Sequence, residues 1–162
     1  VSTGIGWDTH RLVAGRPLIL GGVTLEHDRG LEGHSDADAL THAIIDAMLG
    51  AAGLGDIGEH FPDTDPRYAG ADSIVLLASA VGMLAHAELR VAHVDSTVLM
   101  ERPKLAPVRD QIRERLAAAL ELPLAHVNVK ATRGEGMGFI GRAEGVAALA
   151  VVTVEPLWLE RG

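Results

Sequence analysis

The sequence predicts a single domain of mixed α/β or α+β class. Several strand-length stretches are alternating or continuously apolar, and three stretches with helical apolar spacing are interleaved among them. The 162 residues contain no repeat, linker-like stretch or low-complexity tract, so 1–162 is read as one unit.

The elements follow in order. Residues 2–8 and 16–25 read as strands, the second interrupted by Gly21-Gly22, a turn or bulge signal. Ser35, with Asp38 three residues on, reads as the N-cap of a helix reaching Ala52, with Leu40, Ile44, Ile45, Met48 and Leu49 as its apolar stripe. Residues 53–70, rich in Gly, Pro and Asp, form a loop longer than is common unless something binds there. Asp72 or Ser73 caps a second helix ending near His86. Residues 90–100 alternate, with Ala92, Val94, Val98 and Met100 on one face and His93, Asp95 and Thr97 on the other. Pro107 suits the first turn of a third helix, whose apolar side is Val108, Ile112, Leu116, Ala119 and Leu120. Residues 126–132 alternate again and place Val127, Val129 and Ala131 together. Residues 145–155 are nearly continuously apolar, as a strand buried on both faces is. If helices cover one face of a single-layer sheet, burial of the other implies another copy of the chain.

Lys and Arg total 14 against 22 Asp and Glu, a formal charge of −8, which argues against a duplex nucleic-acid partner. No apolar run reaches the ~20 residues that span a bilayer and no signal segment opens the chain, so the expectation is a cytoplasmic protein without a membrane partner. The absence of cysteine excludes disulfides, thiolate zinc sites and a cysteine nucleophile. A transition-metal site must then be built from His, Asp and Glu, and eight histidines are present. Two Trp, two Phe and one Tyr provide few platforms for stacking bases.

Asp8-x-His10 at strand spacing projects an oxygen and a nitrogen to one side, and His42, in mid-helix, completes a three-ligand set with the fourth position open. The same spacing also suits turn residues facing water. Asp38 and Asp46 flank His42 at i−4 and i+4, as carboxylates behind a ligating imidazole or as a solvated polar stripe. His34 and Ser35 lie where a helix N-terminus favours an anion. Asp56, Asp63 and Asp65 suit sugar hydroxyls, metal-bound water, or turns of Asx type. Residues 130–136 follow a strand with a cation, a hydroxyl, a guanidinium and a carboxylate, of which Glu135 suits Mg²⁺. Arg142 either pairs with Glu144 or faces an anion. Together these residues suggest an acidic, metal-loaded site for a phosphorylated small molecule.

The stretches Gly6-Trp7-Asp8-Thr9-His10, His34-Ser35-Asp36-Ala37-Asp38, residues 50–66, Arg102-Pro103-Lys104-Leu105, residues 128–132 and Gly138-Phe139-Ile140-Gly141-Arg142 resemble the 2-C-methyl-D-erythritol 2,4-cyclodiphosphate synthase family, over about residues 3–155. The resemblance implies an α+β fold: a mixed four-stranded sheet with helices on one face, the sheets of a homotrimer packed around its axis and active sites between subunits. It implies cyclisation of 4-diphosphocytidyl-2-C-methyl-D-erythritol 2-phosphate with release of CMP, in non-mevalonate isoprenoid precursor synthesis. Carried onto this sequence, Asp8, His10 and His42 hold Zn²⁺ or another divalent metal and adjoin the substrate. His34 steadies the transition state, and Ser35, Asp56, Gly58, Phe61, Asp63 and Asp65 contact substrate. Met100, Lys104, Leu105 and Ala106, with Ala131 and Thr132, hold the cytidine end. Glu135 holds a diphosphate-bound Mg²⁺ or Mn²⁺. Phe139 and Arg142 line a central channel that in relatives can hold an isoprenoid diphosphate. One position departs from the family pattern, which usually has Thr-Thr or Thr followed by a small polar residue where this chain has Arg133-Gly134. Arg133 is carried as a catalytic candidate with His34 and Glu135, either supplying charge to the phosphates or leaving that to backbone N–H groups. Competing readings are a zinc-dependent nucleotide-diphosphate phosphodiesterase and a trimeric sensor of nucleotides or isoprenoid diphosphates.

Overall fold

In the computed structural model, which describes residues 1–160, the first strand, β1 (Ser2–Ala14), sends Gly4, Gly6, Asp8, His10 and Leu12 inward and Ile5, Trp7, Thr9 and Arg11 outward. It runs six residues past the expected end at Asp8. Residues 16–25 form a hairpin apart from the main sheet rather than an interrupted strand: β2 (Leu18–Leu20) and β3 (Val23–Leu25) pair antiparallel. Gly21 and Gly22, at φ 57° and 73°, make the two-residue turn with positive φ at both positions that suits the twist of a hairpin. β4 (Arg29–Leu31) then returns to pair with the end of β1.

The first helix, α1 (Ala39–Ala52), is capped by Asp38 rather than by Ser35. The fully buried Asp38 carboxylate accepts from Gly21 N (2.9 Å), Gly22 N (2.7 Å), Thr41 N (3.0 Å) and Thr41 Oγ1 (2.7 Å), clamping the hairpin turn to the helix. Burial pushes this carboxyl above its ordinary value against the pull of those donors. Residues 53–70 are not structureless. They hold the four-residue α2 (Ile57–His60), capped by Asp56, and a 3₁₀ turn at Pro66–Tyr68, capped by Asp65.

α3 (Ser73–His86) starts on its Asp72 cap, one of the two expected. β5 (Leu89–Leu99) carries a bulge between Val91 and His93. Val91, and not Ala92, therefore joins Val94 and Val98 in the core. After the 3₁₀ turn Ala106–Val108, which contains Pro107, α4 (Arg109–Leu120) buries Ile112, Leu116, Ala117 and Leu120. β6 (Val127–Thr132), α5 (Gly138–Gly141) and β7 (Gly145–Pro156) complete the chain order.

The main sheet has five strands, not four, in the order β4-β1-β7-β5-β6. Its pairs are antiparallel except β5–β6. α1, α3 and α4 cover the inward face. Val146, Ala148, Ala150, Val152 and Val154 of β7 are buried beneath them. The opposite face buries Ala147 but leaves Ile5 70%, Trp7 49% and Val151 42% exposed, so burial within one chain does not account for the whole apolar run of β7.

α1 lies on β1 with backbone against backbone. A Cβ at Gly4 would sit 2.1 Å from the carbonyl oxygen of Ala47, and one at Gly6 1.9 Å from that of Ala43. A Gly6→Ala chain should therefore lose roughly 3 kcal/mol of stability through overpacking against backbone that cannot yield locally. Urea unfolding checks this, and a loss under about 1 kcal/mol would refute the tight contact.

Candidate metal centre and adjoining pockets

That contact sets a register. Two residues of strand advance roughly 6.7 Å and four of helix about 6 Å, so Gly4 meets Ala47 and Gly6 meets Ala43. The next inward residue, Asp8, falls opposite the preceding helical turn, which carries His42. Asp8 Oδ2 lies 2.7 Å from His10 Nε2 and 3.1 Å from His42 Nδ1, and the two nitrogens are 3.4 Å apart. Bonds of roughly 2.0–2.1 Å in a tetrahedron put donor atoms about 3.3 Å apart, so this oxygen–nitrogen–nitrogen set fits a small divalent cation with one position left open.

Asp8, His10 and His42 thus converge as their spacing predicts, whereas the supporting acids differ from those expected. Asp38 caps α1, and Asp46 accepts from Ile57 N (3.1 Å), tying α2 to the helix. Neither stands behind His42. Its Nε2 instead meets Ser73 Oγ at 2.7 Å and Ser35 Oγ at 3.2 Å, and Ser73 donates to Asp36. Ser73 and Asp36 are not legible in the sequence as partners of His42, because Ser73 lies 31 residues from it, beyond any local periodicity. His10 donates from Nδ1 to the Glu32 carbonyl oxygen (2.8 Å), which turns Nε2 toward Asp8.

Burial works to raise the Asp8 carboxyl, but the two imidazoles beside it outweigh this and hold it below its ordinary value. Burial works to lower the His10 imidazole, but its bond to Asp8 outweighs this and holds it above.

A cavity of about 500 Å³ opens on the three ligands and is lined also by His34, Ser35, Gly58, Phe61 and Asp63. His34 donates from Nε2 to the Asp65 carbonyl oxygen (2.9 Å). The Asp65 carboxylate is engaged by Arg67 (2.6 Å), so it faces its own turn. Asp56 lines a neighbouring groove with Trp7, Asp8 and His42. A separate pocket is formed by Met100, Lys104, Leu105, Ala106, Ala131, Thr132 and Arg133. Phe139 lines a third with Thr9 and His10. Glu135 is exposed, at φ 52°.

The metal ligands and the second pocket are far apart within one chain. Asp8 pairs with Ala148, Ala148 with Val98, and Val98 with Ala131, so Asp8 and Ala131 sit on one row of the sheet. Three strand spacings separate them by about 14 Å, and the intervening Ala148 and Val98 are fully buried core.

Arg133, left open by the sequence, donates to Glu101 (2.8 Å), whose other oxygen accepts from Gly134 N (2.8 Å). Its charge is met within the chain. Arg142 pairs with Glu144 (2.9 Å), as the simpler reading had it.

The sequence model of the YgbB family matches residues 1–155. The 2-C-methyl-D-erythritol 2,4-cyclodiphosphate synthase of Salinibacter ruber is 59% identical over 152 residues, covering 94% of this chain and 97% of that protein. The synthase of the same name from Syntrophobacter fumaroxidans is 56% identical over 149 residues, covering 92% and 94%. Among solved structures, a 2C-methyl-D-erythritol-2,4-cyclodiphosphate synthase in a form bound to CDP superposes with a TM-score of 0.87 at 38% identity, covering 94% of this chain and 99% of that one. The bifunctional IspDF of Campylobacter jejuni superposes at 0.92 with 42% identity, covering 96% of this chain but 42% of that longer one.

A metal ion needs the lone pair that a proton on His10 occupies. Because His10 is held above its ordinary value, metal affinity should fall as pH drops through that raised value, and uptake near pH 7 should release a proton. In the metal-free chain the sign is opposite. The Asp8–His10 pair contributes stability that is full between about pH 4 and pH 6.5, and is lost as pH rises through the raised His10 value or falls through the lowered Asp8 value. Titration calorimetry in two buffers of different ionisation enthalpy reads the proton release, and its absence would refute the pairing.

Proposed function

The chain belongs to the YgbB family, and on that footing we propose that it is a metal-dependent phosphorus–oxygen lyase converting 4-diphosphocytidyl-2-C-methyl-D-erythritol 2-phosphate to 2-C-methyl-D-erythritol 2,4-cyclodiphosphate and CMP. This is a step in isoprenoid precursor synthesis. The observation that carries the reading is the convergence of Asp8, His10 and His42 beside a cavity lined by His34, Ser35 and Asp63.

An oxygen of the substrate's 2-phosphate attacks the β-phosphorus, the bond from that phosphorus to the bridging oxygen breaks, and CMP leaves with the bridging oxygen. Phosphate is already ionised near neutral pH, so no strong base is required. The barrier lies in like-charge repulsion and in folding a flexible chain into line, which makes positioning and charge neutralisation the main sources of rate. Asp8, His10 and His42 would hold Zn²⁺, whose Lewis acidity would act on a phosphate oxygen, and Glu135 would hold Mg²⁺ or Mn²⁺, which would neutralise charge on the diphosphate.

The chain's own groups act around that chemistry. His34, anchored by donation from Nε2 to the Asp65 carbonyl oxygen, lines the cavity wall where the phosphates would lie. The Ser35 hydroxyl stands between His42 and the backbone N–H of Ala37 at the cavity wall. The pocket at 100–106 and 131–133 takes the cytidine end. Because Arg133 is committed to Glu101, its proposed part is to shape that pocket's wall, with backbone N–H groups of that loop other than Gly134's, which Glu101 holds, facing the phosphates.

The test is the product. Incubation with the CDP-linked substrate in ¹⁸O-water should give CMP and a cyclic diphosphate free of ¹⁸O. A linear 2,4-bisphosphate labelled on its 4-phosphate, or labelled CMP beside a linear 4-diphosphate, would establish hydrolysis instead, and binding without CMP release would establish a sensor.

We further propose a homotrimer in which the 100–106 pocket of one copy faces the metal ligands of the next. The apolar outer face with Ile5, Trp7 and Val151 supports it, as does the buried core between metal ligands and pocket in one chain. An Ile5→Asp chain should sediment as a folded monomer and lose nearly all turnover, while keeping its metal. A monomeric wild-type chain with full turnover would refute the shared site.

A further inference from the structure

The metal reading leaves unexplained a buried chain of hydrogen bonds behind His42. Nε2 of that ring lies 2.7 Å from Ser73 Oγ, and Ser73, the first residue of α3, is fully buried. Ser73 Oγ in turn touches Asp36 Oδ1. Asp36 is held in place from two further sides: Oδ2 accepts from Ser73 N (2.9 Å), and Oδ1 accepts from Asp38 N (3.1 Å).

A hydroxyl has one proton, and a carboxylate only accepts. Ser73 therefore gives its proton to Asp36 and turns a lone pair on His42, which must present Nε2–H. The second oxygen near that nitrogen, Ser35 Oγ at 3.2 Å, is also placed to accept. With the proton on Nε2, the lone pair of Nδ1 points at Asp8 and His10.

We propose that Asp36 and Ser73 form a positioning relay that holds His42 in its metal-binding tautomer. The inference rests on the metal reading above. A carboxylate commonly bonds directly to a ligating imidazole, raising its basicity and fixing its plane. Here a serine hydroxyl is interposed, so both the relay and the ring are set by the docking of α3 against the 34–38 loop. That docking is itself stitched by Asp36 N to the Ala71 carbonyl oxygen (3.1 Å) and Gly70 N to that of His34 (2.8 Å).

The experiment compares the wild-type chain with Ser73→Ala, Asp36→Asn and Ser73→Thr. Zinc affinity is measured by competition with a chromogenic chelator, and the ring N–H signal of His42 is followed in the zinc-loaded, ¹⁵N-histidine-labelled protein. The relay predicts an exchange-protected Nε2–H in the wild-type chain. Loss of Ser73 should move that signal and weaken zinc binding roughly 10–100-fold, with Ser73→Thr restoring both. A folded Ser73→Ala chain with unchanged affinity and an unmoved signal would overturn the relay alone. If Ser73→Ala fails to fold, Asp36→Asn decides by the same two measurements. Failure of the wild-type chain to bind zinc would overturn the metal reading and the relay with it.

Discussion

The site depends on the contact between the glycine face of β1 and the backbone of α1. Side chains cannot bring a strand and a helix this close; only missing Cβ atoms can, at Gly4 and Gly6. The contact fixes how far the helix slides along the strand, because the Ala43 and Ala47 carbonyl oxygens occupy the spaces where those Cβ atoms would stand. Asp8, His10 and His42 then converge as a consequence of two rigid elements meeting in one register. The Asp38 clamp on Gly21, Gly22 and Thr41 holds the start of the same helix, so both ends of the arrangement are anchored.

Electrostatics give the site its second constraint. The chain carries a formal −8, yet its proposed substrate is a multiply charged anion. Several cations near the proposed phosphate and cytidine regions are already matched: Arg133 by Glu101, Arg142 by Glu144, and Lys130 by Asp95. In the proposed mechanism, recognition of the phosphates falls to bound metal ions and backbone N–H groups, and such cations reverse the local sign near the site. The same logic accounts for Asp8 and His10 in the metal-free chain, where each stabilises the charged form of the other until a metal takes the proton's place.

The outer face of the sheet links the fold to the proposed assembly. Ile5 and Val151 are paired across β1 and β7, and both are exposed. Residues of this kind at the centre of a sheet, rather than at its rim, mark a surface built to be covered. In the proposed trimer that surface brings the cytidine pocket of one copy to the metal ligands of another, which the buried row from Asp8 to Ala131 prevents within a single chain.

Much of this was legible in local spacing. The Asp-x-His pair, the apolar stripe of α1, the Asp72 cap and the turn signal at Gly21-Gly22 each follow from a period of 2 or 3.6 or from turn chemistry, and the structure contains each of them. What spacing could not settle was any choice between two locally equal options. Ser35 and Asp38 both suit a cap, and the hairpin's two free N–H groups select Asp38. Ala92 and Val91 both suit the core, and a bulge imposed by pairing with β7 selects Val91. Asp38, Asp46 and Asp36 all lie near His42 in sequence, yet only Asp36 reaches it, through a serine that another helix supplies. The sequence by itself thus determined the three longer helices, the longer strands and the three metal-ligand candidates, because these rest on short-range periodicity and on the chemistry of side chains. The tertiary structure alone decided which acids support the ligands and which caps are used, because those partners are selected by packing between segments that no local period connects.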